Sequence, residues 1–317
     1  MTPIRVLFAG TPDVAVPALD LLLADGRFMV VAVLTNPDRP RGRSSRPVSS
    51  PVAVRAEAAG VPVLRPARVR DAAGEIASSG AHIGAVVAYG SILPPSVLAA
   101  LPEGFVNLHF SLLPRWRGAA PVQHAIRAGD AVTGVTAFRL DEGMDTGPIL
   151  RTLEVVPRDD VDAGALLDAL AAAGAPVLAD ALVAASSGEP GTPQPEEGVT
   201  LAPRIVPADA EIDWRGTVQE VARQVRSVTP RPGASTSCEG ERLKVAGATP
   251  GPDGEDGAPP GTVVGTDGDA IVVACGAGTV RIARVLLAGR PWSGAADQVR
   301  GRRITVGTVL GANGAAS

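Results

Sequence analysis

Asn107 and His109 stand two residues apart in FVNLHFSLLP (105–114), a run that is otherwise mostly apolar. An amide N–H can donate to an oxygen on which negative charge builds. An imidazole titrates near neutrality and can carry a proton in either direction. A buried polar group without a partner costs about 1–3 kcal/mol, so an apolar strand does not carry two of them without a reason. Side chains alternate along a strand, which puts Asn107 and His109 on one face and Val106, Leu108 and Phe110 on the other. Taken alone, the pair is explained as well by a strand with one wet face, or by a core histidine with an internal partner, as by a functional site. The loop DEGMDTGPIL (141–150) supplies a third candidate, Asp145. Its Asp-Thr-Gly reads by itself as a turn whose aspartate bonds nearby backbone N–H groups.

The elements that must position these groups follow from periodicity. IRVLFAG (4–10) and MVVAVLT (29–35) read as strands, with a helical pattern over 14–25 between them. HIGAVVAYG (82–90), FVNLHF (105–110) and TGVTAFRL (133–140) are further strands, separated by the short helical runs PPSVLAAL and APVQHAIRAG (120–129). This order predicts an α/β fold, a Rossmann-like doubly wound and mostly parallel sheet. With TGVTAFRL as the next parallel strand, Asp145 would face the cleft beyond the strand ends that holds Asn107 and His109. An alanine-rich helix (163–188) closes the unit; Gly174 and Pro176 are where it would kink or split. EPGTPQPEEG (189–198) reads as a spacer. Beyond it, a helix over 217–228 precedes short β-like runs with Gly-rich turns, the last of them RRITVGTVLG. These suggest a smaller, OB-like β-barrel. The expected organisation is therefore a first domain over 1–188, a linker over 189–205 and a barrel over 206–317.

Composition narrows the function. The chain has 317 residues, 45% of them hydrophobic, enough for two cores. Its net charge of −4 excludes a general polyanion binder, so any nucleic-acid contact must use local basic patches. Lys244 is its single lysine; the other basic residues are arginines, as a GC-rich coding sequence would give. Cys238 and Cys275, with His82, His109 and His124, form no metal-ligand spacing, so no metal is expected. With a strand at the start and no apolar stretch read as approaching the ~20 residues that span a membrane, a soluble cytoplasmic monomer is expected. The first βα turn, FAGTPD, lacks the Gly-x-Gly-x-x-Gly of dinucleotide sites, which argues against a nicotinamide oxidoreductase.

NLHFSLLP (107–114) followed by DEGMDTG (141–147) resembles the folate-dependent formyltransferases, whose pattern is Asn-x-His-x-Ser-x-Leu-Pro and then an Asp-Thr-Gly loop. AGTPDVAVPAL, TNPDRPRGR, VVAYGSILP and SLLPRWRGAAPVQHAI resemble the members that act on aminoacylated tRNA, and APRIVPADAEIDW to ITVGTVLG resembles their C-terminal domain. Phe110 is a departure, since many relatives carry Gly there. The resemblance implies formyl transfer from 10-formyltetrahydrofolate to the α-amino group of methionine on initiator methionyl-tRNA, releasing tetrahydrofolate. It implies Asn107, His109 and Asp145 as catalytic residues. Ser111, Leu112, Leu113 and Pro114 would line the folate site, with Tyr89, Gly90 and Ile92 near the pterin. Arg39, Arg41 and Arg43 would meet the tRNA acceptor end, and Arg302 and Arg303 its stem. Each has a plainer reading: loops packed for their own sake, and solvated basic surface. The rival activities are another formyl-folate transferase or hydrolase, and a non-catalytic RNA-binding protein. The latter leaves Asn107, His109 and Asp145 unexplained.

The arginine loop can be tested directly. PDRPRGRSSR (37–46) carries four arginines and one aspartate, in a chain of the same sign as its expected substrate. Arg43→Ala is expected to raise KM for the tRNA while KM for the folate barely moves. If Arg43 meets a phosphate, the log–log salt slope of tRNA binding flattens by roughly 0.7–0.9; if it stacks on a base, affinity falls at constant slope. Superimposable binding curves would leave an ordinary solvated loop.

Overall fold

The computed structural model describes residues 2–40, 47–252 and 257–312. The chain divides into two compact units. The first comprises residues 1–118, 132–156 and 167–202; the second comprises 119–131, 157–166 and 203–317.

The first unit is built on a seven-stranded sheet. Its order is Ile149–Val155, Thr133–Arg139, Phe105–His109, Ile83–Val87, Ile4–Gly10, Phe28–Leu34 and Val63–Leu64. The five strands from Phe105–His109 to Val63–Leu64 run parallel. Their near-continuous apolar runs are what a sheet covered on both faces requires. Ile83–Val87 is buried throughout. At the close of Phe28–Leu34, Ser50 caps the helix Pro51–Ala58 by accepting from the Ala53 N–H at 3.0 Å. The hydroxyls of Thr35 and Ser50 share a hydrogen bond of 2.8 Å, which ties that helix to the strand end.

Thr133–Arg139 departs from the expected parallel arrangement. It pairs antiparallel with Phe105–His109, His109 opposite Thr136 and Val106 opposite Arg139. The crossover expectation assumes a connecting helix that packs back on the sheet. The connecting helix here, Pro121–Ala128, belongs to the second unit and packs there against the helix Val218–Ser227. The strand's C-terminal end therefore lies beside Val106, and the 141–148 loop starts from that end of the sheet rather than beyond His109.

The helix Ala163–Ser186 is continuous through Pro176 and does not split. By length and composition this one helix could cross a membrane, contrary to the expectation that no stretch approaches that length; half of its apolar window is buried inside the protein. Leu170, Leu178 and Leu182 are fully buried. A Cβ on Gly174 would lie 2.9 Å from Leu108 Cδ2 and 3.3 Å from Val135 Cγ1. The glycine thus lets the helix backbone approach the sheet face opposite Asn107 and His109.

The second unit holds an antiparallel sheet in the order Ser235–Cys238, Glu241–Pro250, Thr279–Leu287, Ala270–Ala274, Val263–Asp267. Its two edges are linked through the C-terminal segment, which gives the unit its barrel character. The Val263 N–H donates to Thr308 O and the Leu310 N–H to Gly261 O on one side, and the Gly311 N–H donates to Ser237 O on the other, each at 2.8 Å. ITVGTVLG is not the regular strand its pattern suggested. Gly307 and Gly311, at φ +94° and +80°, turn the backbone out of the extended region. Trp214 fills the core beside this closure, its indole N–H donating to Thr236 Oγ1 at 3.0 Å.

Leu108 reports on the buried face alone. Leu108→Ala is expected to destabilise the protein by about 2–5 kcal/mol in chemical denaturation, since the helix beneath it closes only partly over the cavity. A loss below ~1 kcal/mol would mean that Leu108 is not packed as described.

Candidate active site

Phe105–His109 ends at His109, and the chain then makes an excursion from Phe110 to Ala120 before the next helix. That excursion is stitched down from its start. Thr136, fully buried and opposite His109 in register, donates its hydroxyl to Ser111 O at 2.7 Å and accepts from the Leu113 N–H at 3.0 Å. Ser111 Oγ donates to Arg115 O at 2.6 Å. The turn closes at Trp116, whose φ of +63° is a left-handed conformation rare for a bulky residue. This turn brings the Trp116 carbonyl to 2.8 Å from His109 Nε2.

That contact fixes the imidazole tautomer. A carbonyl oxygen only accepts, so Nε2 carries the hydrogen. Nδ1 then presents its lone pair toward Asp145 Oδ2, 3.7 Å away, which is beyond hydrogen-bond length. His109 is 6% exposed. Burial pushes its pKa below the ordinary imidazole value, against the opposing pull of the Asp145 charge and the Trp116 carbonyl. The imidazole is therefore neutral at neutral pH, with one nitrogen free to accept a proton beside a carboxylate.

Asp145 is held by its own set of contacts. Its Oδ2 accepts from the Gly118 N–H at 2.7 Å, and its backbone sits at φ +55°. Gly118, at φ +123°, admits no side chain, since a Cβ would lie 2.8 Å from Ala202 O. The rest of the loop folds on Asp141, which accepts from Thr146 Oγ1 at 2.7 Å and from the Gly143 N–H at 3.0 Å. Asn107 is half-buried on the His109 face of the strand, and its amide bonds no other described residue. The cluster thus offers an amide donor, a neutral imidazole with a free nitrogen, and a carboxylate beside it.

The other expected site residues fall in two places in the first unit. Ser111 and Leu113 are buried, while Leu112 and Pro114 are half-buried. Tyr89 is buried, which pushes its phenol pKa up to about 12 and keeps it neutral. Ala88 and Gly90 flank it at φ +46° and +83°, and Ile92 is 88% exposed. The Tyr89 carbonyl accepts from Thr11 Oγ1 at 3.0 Å and from Asn36 Nδ2 at 2.7 Å. Thr11 and Asn36 tie together the C-terminal ends of three parallel strands, and sequence reasoning missed both. The signal was available: each follows a strand end at the edge where open α/β sheets bind ligands. Arg39 is exposed, while Arg41 and Arg43 lie outside the described residues. In the second unit Arg302 and Arg303 are both exposed, Arg303 donating to Gln298 Oε1 at 3.3 Å. Among the described residues, no group of three or more His, Cys, Asp or Glu could hold a metal ion.

Comparison with known proteins yields a consistent set of matches. The sequence pattern of the formyl transferase family matches residues 3–182, and that of the formyl transferase C-terminal domain matches residues 204–303. A methionyl-tRNA formyltransferase of Streptomyces coelicolor is 48% identical over 97% of this chain and 99% of its own length. One from Acidothermus cellulolyticus is 51% identical over 75% of this chain and 74% of its own. Among solved structures, HypX from Aquifex aeolicus in complex with tetrahydrofolic acid superposes with a TM-score of 0.65 at 18% identity, covering 94% of this chain and 47% of HypX. An N-formyltransferase from Helicobacter canadensis gives 0.67 at 17% identity, covering 88% and 98%. At these identities the two structures speak for the fold.

The depressed pKa of His109 has a consequence for stability. Above about pH 6.5 the site is neutral in both the folded and the unfolded chain. Below that value the unfolded chain binds a proton that the buried site resists, so stability is lost as pH falls. Wild type is expected to lose more stability than His109→Gln on going from about pH 7.5 to about pH 5.5 in denaturant titrations. Parallel losses would show that the imidazole is not held neutral.

Proposed function

The chain belongs to the formyl transferase family, and from that premise we infer that it transfers the formyl group of 10-formyltetrahydrofolate to the α-amino group of methionyl-initiator tRNA. The product is N-formylmethionyl-tRNA for translation initiation, and tetrahydrofolate is released. The observation that carries this reading is the pairing of full-length similarity to methionyl-tRNA formyltransferases with a buried His109, on the strand that bears Asn107, set 3.7 Å from the Asp145 carboxylate. We take it to act as a cytoplasmic monomer.

The residues suggest how the transfer runs. The amine enters neutral, its ammonium proton already lost to solvent; its nitrogen bonds to the formyl carbon, becomes cationic and must shed one further proton. Negative charge develops on the formyl oxygen, where the Asn107 amide is the proposed donor; one such donor contributes about 2.7–4 kcal/mol. The proton shed by the amine goes to His109 Nδ1, the nitrogen that is left free by the Trp116 carbonyl. Asp145 stabilises the resulting imidazolium across 3.7 Å. When the tetrahedral intermediate collapses, the bond from the formyl carbon to the folate nitrogen breaks, and His109 returns the proton to that leaving nitrogen. No covalent enzyme intermediate is needed, in keeping with two cysteines that are both buried.

The folate is assigned to the strand ends bearing Ser111 to Pro114 and Tyr89 to Ile92. The tRNA is assigned to Arg39, Arg41 and Arg43, with Arg302 and Arg303 on the barrel. Support for the folate assignment is the loop at Ala88–Gly90, whose left-handed residues sit where open sheets take ligands.

Asn107→Ala, His109→Ala and Asp145→Ala are each expected to lower kcat for formyl transfer by at least about a hundredfold, with folate affinity less affected. The assay uses purified protein, 10-formyltetrahydrofolate and methionylated initiator tRNA. Wild-type turnover on free amines or nucleotide sugars, with none on the charged tRNA, would reassign the acceptor. Near-normal turnover in any variant would remove that residue from the mechanism.

A further inference from the structure

Residues 189–202 do more than join the two units. Thr192 bridges Ile149, exchanging both backbone hydrogen bonds at 2.8 Å. Thr200 Oγ1 accepts from the Trp116 N–H at 2.8 Å, and Thr200 O accepts from the Arg117 N–H at 2.9 Å. Leu201–Ala202 then pairs in parallel with Arg117–Gly118. Between these attachments lies Gln194, half-buried in a run whose neighbours are exposed.

Gln194 uses its whole amide. Nε2 donates to Asp145 O and to Gly147 O, each at 2.8 Å. Oε1 accepts from Arg117 Nε at 3.1 Å and from Arg117 Nη2 at 2.7 Å. These are all the donors and lone pairs that a carboxamide has. The residues it joins flank the chemistry. Trp116 gives His109 its carbonyl, Gly118 gives Asp145 its N–H, and Arg117 stands between them. Asp145 holds a left-handed backbone, which a non-glycine residue keeps only where its surroundings impose it. The Gln194 bond to its carbonyl is one such imposition.

We propose that Gln194 is a positioning residue for formyl transfer, its amide setting where the Asp145 carboxylate stands relative to the His109 imidazole. The proposal rests on the reading of His109 and Asp145 as catalytic. An amide suits this point, since a glutamate would still accept from Arg117 but would present lone pairs to two carbonyl oxygens.

The test compares Gln194→Met, of similar length without polar atoms, with Gln194→Glu, which keeps the Arg117 contact and loses both donors. Each is expected to lower kcat roughly 10- to 100-fold while leaving the Kd for the formyl-folate within about twofold. The Asp145 charge raises the His109 pKa, so a displaced carboxylate is also expected to move the NMR titration of His109 to lower pH. Unchanged kcat and titration in either folded variant would overturn the proposal. So would a loss of folate affinity and thermal stability with the titration in place, the mark of a purely structural tie. Should Gln194→Met fail to fold, Gln194→Glu decides. The titration needs no substrate, so a wild-type protein inactive on charged tRNA would count against the functional reading and leave this test standing.

Discussion

A nearly fully buried imidazole keeps a single tautomer when one of its nitrogens is held by a hydrogen-bond partner, and much of the architecture around His109 serves to hold that partner in place. Nε2 is committed to the Trp116 carbonyl at 2.8 Å. Everything that fixes Trp116 therefore acts on the imidazole: the left-handed turn, the Ser111 and Thr136 ties that precede it, and the Thr200 hydroxyl behind it. With that nitrogen spoken for, Nδ1 alone remains for chemistry. Its surroundings combine low dielectric, which favours the neutral ring, with a carboxylate that stabilises the charged one. Such opposition is what a group needs if it is to take a proton briefly and give it back.

The Trp116 and Asp145 sides are welded by segments far apart in sequence. Strand 105–109, the 110–118 excursion, the 141–148 loop and the 189–202 segment meet within a few hydrogen bonds of one another. Three non-glycine residues at this end of the unit, Ala88, Trp116 and Asp145, have left-handed backbones at about 1–3 kcal/mol each. The Gly118 and Gln194 contacts are among the interactions that offset that strain. The bonds from the 189–202 segment reach the same loop that carries Asp145, so this stretch of chain is part of what holds Asp145 beside His109.

Much of this was legible in the sequence for a physical reason: period-two alternation and long apolar runs are strong signals, and they gave four of the five parallel strands and the shared face of Asn107 and His109, while the two-residue strand Val63–Leu64 is too short to show a period. The direction of Thr133–Arg139 was not legible. Strand periodicity carries no polarity, and the rule that supplies it presupposes a helix packed on the sheet, whereas Pro121–Ala128 packs elsewhere. Nor did the Pro- and Glu-rich stretch around Gln194 show its role, because composition averages over the one half-buried amide among exposed neighbours. Thr11 and Asn36 were legible in principle from their places after strand ends. Gly118 could be recognised only once Ala202 was seen against it.

The central claim is that His109 rests as the neutral tautomer with its hydrogen on Nε2, leaving Nδ1 to accept a proton beside Asp145. Nitrogen-15 NMR of the histidine ring, read through its two-bond couplings near neutral pH, measures this directly. The expected result is a protonated Nε2 and an unprotonated Nδ1 at His109, losing that pattern only well below the ordinary imidazole range. A ring protonated at Nδ1, or an imidazolium at neutral pH, would contradict the account.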